Sequence, residues 1–217
     1  MREQQIRAWL ASLERSFKQP YPLVNIAPLY RSFREKRYTD FIAGIRDQLK
    51  LSDIGLRIQY IKSGGNPNRV AWVSVPNNMP MYGSEAFKNL KLDMTVRKEF
   101  LELGDFAVAL MIISHEMSHI VLDSLHHELQ FTEPAVDLTA MYLGFRQAFI
   151  TKNAFENSLA GANEEDVQRA QNLEVLLGKR GVEKMLEIFP VRQLVYLSFK
   201  ERVFAASLMG TTHPLNL

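Results

Sequence analysis

Four of the five histidines fall between positions 115 and 127, and the first two belong to the run His115-Glu116-Met117-Ser118-His119. Residues four apart share one face of an α-helix, so an H-E-x-x-H run brings both imidazoles towards one point. Imidazoles so placed suit zinc, which takes nitrogen at about 2.0–2.1 Å in tetrahedral geometry. Glu116 lies one residue, roughly 100°, further round the helix. There it can flank the ion without ligating it and take a proton from zinc-bound water, whose pKa falls towards ~7. Glu116 is thus the expected catalytic base, and Zn2+ the expected cofactor.

A catalytic zinc wants three protein ligands and one open position for water. In the metzincin pattern the third is a histidine six residues after His119. Leu125 stands there, and Leu122 replaces the required glycine, which excludes that class. His126 would lie about 10 Å along the helix from His119, too far to share one ion. His127 and Glu128 could be reached only through a bend in the chain. The better candidate is Glu133, which opens the stretch Glu133-Pro-Ala-Val-Asp137. Its two acids are one helical turn apart. Glu133 can then ligate the metal while Asp137 accepts the outer N–H of a ligand histidine and fixes its orientation. Carbonyl attack also builds negative charge that a further donor must stabilise. His213, Tyr142 and Tyr196 are the candidates, although Tyr142 sits among Leu138, Met141, Phe145 and Phe149 in a strongly apolar stretch.

Elements must position these residues. The segment Phe106–Leu122 is the most apolar long stretch. It is barely long enough to cross a bilayer and carries two histidines and a glutamate, so it reads as a buried helix. Asp105 can cap that helix, which should run to about Leu125. Thr132 can cap the next, with Pro134 tolerated in its first turn. Apolar positions Ile6, Trp9, Leu10 and Leu13 mark a helix over 3–17, ended by Pro20 and Pro22, and a second is expected over Tyr38–Leu49. The period then changes to two: Leu56, Ile58 and Tyr60 mark a strand, Ser63–Asn68 a turn, and Val70–Val75 a second strand pairing with the first as a hairpin. Leu92, Met94 and Val96 mark a third, shorter strand, either interior or an open edge that pairs with extended substrate. Helices are expected to start at Asn163 and at Ser198, where Ser198 and Glu201 have capping-box spacing, with Gly210 ending the last one. This organisation is α+β, mostly helical, with a small antiparallel sheet and a central H-E-x-x-H helix. One domain over 1–217 is expected, made of a helical segment 1–50, a sheet with active-site helices over 54–145, and a helical segment 146–217.

Composition narrows the chemistry further. The chain has 217 residues, 47% of them hydrophobic, and no cysteine. That is too apolar for disorder, and it excludes thiol nucleophiles, disulfides and cysteine-based metal sites. A formal charge of +2 gives no large basic field, so nucleic acid is not an expected partner. Residues 1–50 hold ten Lys/Arg against five Asp/Glu, centred on Arg31–Arg37, a pattern read as a solvated face. Neither a secretory signal nor a transmembrane segment is evident, and a cytoplasmic location is the default expectation.

HEMSH followed by EPAVDLTA, an H-E-x-x-H and then an E-x-x-x-D-x-x-A ending at Ala140, resembles the glutamate-ligand zincins (gluzincins). The closest likeness is to the HtpX-like and CAAX-processing zinc endopeptidases, which FLELGDFAVALMIISHEMSH and Thr212-His213-Pro214 also resemble. It covers roughly residues 70–145 plus that tripeptide. The ImmA/IrrE-type metallopeptidases are a second likeness. The membrane spans typical of the HtpX-like group have no counterpart here, nor does the arginine-bearing stretch that usually follows the tripeptide. The resemblance implies a zincin-like fold and zinc-dependent hydrolysis of a protein or peptide, and it favours His213 as the oxyanion stabiliser. The alternative is a non-catalytic or regulatory module that keeps the zincin fold.

Overall fold

The computed structural model describes residues 2–62, 69–103, 105–151 and 196–215. The turn expected at Ser63–Asn68 and the helix expected from Asn163 lie outside them. The described elements are α1 (Glu3–Phe17), α2 (Ile26–Arg34), α3 (Tyr38–Gln48), β1 (Gly55–Ile61), β2 (Ala71–Ser74), α4 (Glu85–Lys88), β3 (Lys91–Arg97), α5 (Lys98–Leu103), α6 (Phe106–Ser124), α7 (Glu133–Ala140), a π-turn (Met141–Phe145), α8 (Arg146–Phe149) and α9 (Phe199–Leu208). The architecture is α+β, as the patterning predicts.

The sheet departs from expectation in topology. It is mixed rather than antiparallel, with strand order β1-β3-β2. β1 and β3 run parallel, in register from Gly55↔Lys91 to Ile61↔Arg97, and β2 pairs antiparallel to β3 from Ala71↔Val96 to Ser74↔Asp93. The expected β1–β2 hairpin does not form, because β3 lies between the two strands. Nor is β3 the shortest strand: it spans seven residues, as many as β1. Burial explains its central place. Leu92, Met94 and Val96 are buried on one face and Thr95 and Arg97 on the other, whereas β1 exposes Arg57, Gln59 and Tyr60. A strand buried on both faces belongs between partners, and one with an exposed polar face can tolerate an edge.

Helix α6 is the axis of the fold. Asp105 caps it, its carboxylate accepting from the N–H groups of Ala107 and Val108. By length and composition α6 could cross a membrane, but 83% of its most apolar window is buried inside the protein, where it packs on α3, α7, α8 and β2. Its buried Ser114 and Ser118 satisfy their hydroxyls on the carbonyls of Met111 and Ser114, so neither costs an unpaired polar group. The N-terminal end is pinned by ring contacts of Phe106 with Tyr30, Phe33 and Phe41 at 5.1, 5.6 and 5.9 Å, the first two edge-on and the third tilted, a cluster that also anchors α2 and α3.

Sequence patterning identifies α1 and α3 well and overlooks α2, which Asn25 caps. Its Leu29 and Phe33 are buried, the second inside the basic run, whose Arg37 pairs locally with Glu35 and Asp40. Ser198 and Glu201 do form a capping box on α9, and Gly210 takes φ +74° just beyond it. Thr132 precedes α7 but makes no side-chain cap. The apolar stretch after it is not one straight helix. It breaks at the π-turn, where Gly144 adopts φ +108°.

Candidate metal centre

α6 and α7 pack side by side, and that contact assembles the site. His115 and His119 project from one face of α6, and Glu133 stands at the first position of α7. Glu133 Oε2 lies 3.4 Å from His115 Nε2 and 3.4 Å from His119 Nε2. One donor atom from each residue fits within 4.8 Å of the other two. Ligands at about 2.0–2.1 Å from a tetrahedral ion stand about 3.4 Å apart, so these separations are those of ligands around one cation. A second observation agrees. Glu133 Oε2 is buried and has no hydrogen-bond partner, which is costly for a carboxylate oxygen unless a cation offsets it. The residues fit a metal ion, and the three could hold one.

His115 is oriented from behind. Its Nδ1 is 2.8 Å from Oδ1 of Asp137, which is fully buried. Nδ1–H donating to that carboxylate leaves the Nε2 lone pair facing the cluster. The other oxygen, Oδ2, accepts from the backbone N–H groups of Tyr196 and Leu197 at 2.7 and 2.8 Å. Asp137 therefore couples His115 to the segment leading into α9. Burial alone would lower the His115 pKa, but the neighbouring carboxylates of Asp137 and Glu133 outweigh it and raise it. The proximity of His115 and His119 holds Glu133 far below the ordinary carboxylate range.

Glu116 stands half-buried beside the cluster, and its Oε2 accepts from the Val73 N–H at 3.3 Å. Burial pushes its pKa up, against the positive charges of His115, His119 and Arg69. A carboxylate standing beside the three-residue cluster is placed to accept a proton from a group bound there. The Val73 contact also shows which strand borders the site. That strand is β2, at the edge of the sheet, and not the 92–96 strand, which sits in its middle.

The other sequence candidates fall in different places. His126 Nε2 bonds the Met79 carbonyl at 2.8 Å, His127 Nδ1 accepts from the Leu129 N–H, and Glu128 pairs with Arg15 and Ser12. Tyr142 is buried in the core against Phe17. His213 offers its carbonyl to Gln147, in a stretch tied to the α8 end of the fold by Arg146 on Thr211 and by Leu215 on Thr151. Tyr196 is the aromatic beside the cluster. Its ring stacks on that of His115 at 5.7 Å and 21°, and 44% of the residue is exposed. Burial, then the charges of Glu133 and Glu116, raise its pKa and keep the phenol protonated. Val73 and Arg69 carry no sequence signal, because their part in the site depends on where β2 is placed.

Comparison with protein-family models, with curated proteins and with solved structures gave no match to this chain.

Proposed function

We propose that the protein is a zinc-dependent endopeptidase of the glutamate-ligand zincin type, hydrolysing peptide bonds in a protein or peptide. The observation that carries this reading is the buried, unpartnered Glu133 Oε2, equidistant at 3.4 Å from two histidine Nε2 atoms, with Glu116 alongside. His115, His119 and Glu133 would hold zinc. Zinc, when bound there, supplies Lewis acidity that polarises a carbonyl and makes water readily deprotonated. Glu116 takes the proton of the attacking water on its carboxylate and passes it to the departing amine. Asp137 keeps His115 in the tautomer that presents Nε2. The Tyr196 hydroxyl, held protonated at the rim, is the proposed donor to the negative charge that builds on the carbonyl oxygen. This takes the role that the sequence likeness gave to His213. The side of β2 that no strand covers among the described residues offers backbone groups to an extended substrate, which would pair with it as an added strand. The Val73 N–H, which Glu116 now engages, stands where that strand would meet the base.

The test is Glu116→Gln, which keeps size and hydrogen bonding but removes the base. It should bind zinc as the wild type does and lose cleavage by about 10²–10⁴-fold. New protein termini produced from a cell extract by the wild type and not by the variant would supply the substrates. Identical termini from both zinc-loaded proteins would end the peptidase reading.

A further inference from the structure

Beyond the metal cluster, α6 carries one more acid on its way out of the core. Asp123 is one helical turn past His119, a rise of about 6 Å. It opens into a cavity of ≈ 710 Å³ whose other walls include Val75, Met79, His126, Gln130 and Phe131. β2 leads to the same place: Val75 is two residues beyond Val73, about 7 Å further along the strand direction. An extended peptide paired to the edge of β2 and centred on Glu116 would therefore place a neighbouring side chain over this cavity.

The cavity's chemistry is specific. Burial raises the Asp123 pKa, and the only charges acting against that rise are those of His119 and His126. No hydrogen bond or ion pair reaches its carboxylate from the described residues. His126, on the wall beside it, donates Nε2–H to the Met79 carbonyl at 2.8 Å. The wall is otherwise apolar or neutral, and Phe131 stands 86% exposed at the mouth. An aromatic rim leading to a half-buried carboxylate that no lysine or arginine pairs among the described residues suits a long aliphatic stem that ends in positive charge.

We propose that this cavity is a specificity pocket for a lysine or arginine side chain of the substrate, with Asp123 as the charge that selects it. The inference rests on the peptidase reading for its alignment with the site, but binding alone can test it. Zinc-loaded Glu116→Gln protein would be titrated with fluorescent nonapeptides, neutral except for one lysine scanned through the positions, and with the same peptides carrying glutamine instead. Lysine at one position should bind at least about tenfold tighter than glutamine, and adding Asp123→Asn should bring the two within about twofold. Gln130→Lys, a cation on the pocket wall, should reduce the preference similarly and covers the case in which Asp123→Asn misfolds. Equal binding of lysine and glutamine peptides, a preference that survives both substitutions, or no binding of any peptide would overturn the proposal. Wild-type cleavage of the same peptides separates the two ideas. Cleavage without a lysine preference removes the pocket and leaves the peptidase, whereas a lysine preference in binding with no cleavage keeps the pocket and removes the peptidase.

Discussion

Glu133 contributes one oxygen to the cluster, and the cost of burying that oxygen is what a cation would offset. Glu133→Gln should therefore weaken metal binding markedly, as read by metal content after dialysis against a competing chelator. Asp137→Asn tests the next layer. Without the carboxylate, Nδ1 of His115 loses its charge-assisted partner, and the backbone N–H groups of Tyr196 and Leu197 lose a charged acceptor. Metal affinity should fall by about 10–100-fold while far-UV circular dichroism stays native. Tyr196→Phe asks a different question. The ring that stacks on His115 is kept and only the hydroxyl goes, so metal content should be unchanged. If the phenol stabilises the oxyanion, kcat should fall by about 10²–10³-fold with little change in KM. A matched loss of metal would instead make Tyr196 a packing residue.

At the scale of elements, the helix that carries Glu133 and Asp137 ends in a break that ties it to the 21–24 segment. α7 ends at Ala140 and the chain turns through Met141–Phe145 before α8 begins. Gly144 takes φ +108° there, and a Cβ would stand 2.5 Å from the Pro22 carbonyl oxygen. The same turn receives the 21–24 segment through Tyr21 N–H on the Tyr142 carbonyl and Val24 N–H on the Gly144 carbonyl. Gly144→Ala combines an unfavourable backbone region with a backbone clash and should destabilise by at least about 1–3 kcal/mol, measurable as a lower midpoint in urea. The sheet shows the opposite kind of dependence. Which strand flanks Glu116 follows from β3 taking the centre, and β3 takes the centre because it is buried on both faces.

Across the whole molecule, the two ends of the chain brace the site together. Arg2, ahead of α1, bonds Glu201 on α9 through Nε at 3.0 Å and the Tyr196 carbonyl through Nη2 at 3.2 Å. Glu201 also closes the capping box on Ser198. Its pKa is held down to about 2, chiefly by the Arg2 hydrogen bond, against the opposing effect of burial. A carboxylate depressed in the folded state adds stability that is fully present above its ordinary value of 4.5 and is lost as pH falls towards about 2. Glu201→Gln should lower the thermal midpoint at neutral pH. It should also flatten the dependence of that midpoint on pH between about 4.5 and 2, the window in which the wild type gives up this contribution. Equal acid profiles for the two proteins would show that Glu201 keeps the same pKa in the unfolded chain.

The sequence by itself determined what is set within a few turns of helix: the pairing of His115 with His119, the flanking place of Glu116, the Asp105 cap, and Glu133 and Asp137 sharing one face. These follow from a 3.6-residue period and need no knowledge of the rest of the chain. The α1 and α3 helices and the Ser198–Glu201 box were legible for the same reason. Only the tertiary structure decided that Glu133 meets both histidines, because that depends on how α6 and α7 pack. It alone set the order of the sheet, since period-two alternation identifies strands and says nothing of their partners. It also chose Tyr196 over Tyr142 and His213 as the residue beside the cluster, and it brought Asp123 to a cavity beside β2. Local periodicity is written in neighbouring residues, whereas which faces end up buried together is settled by the competition of the whole chain for one core.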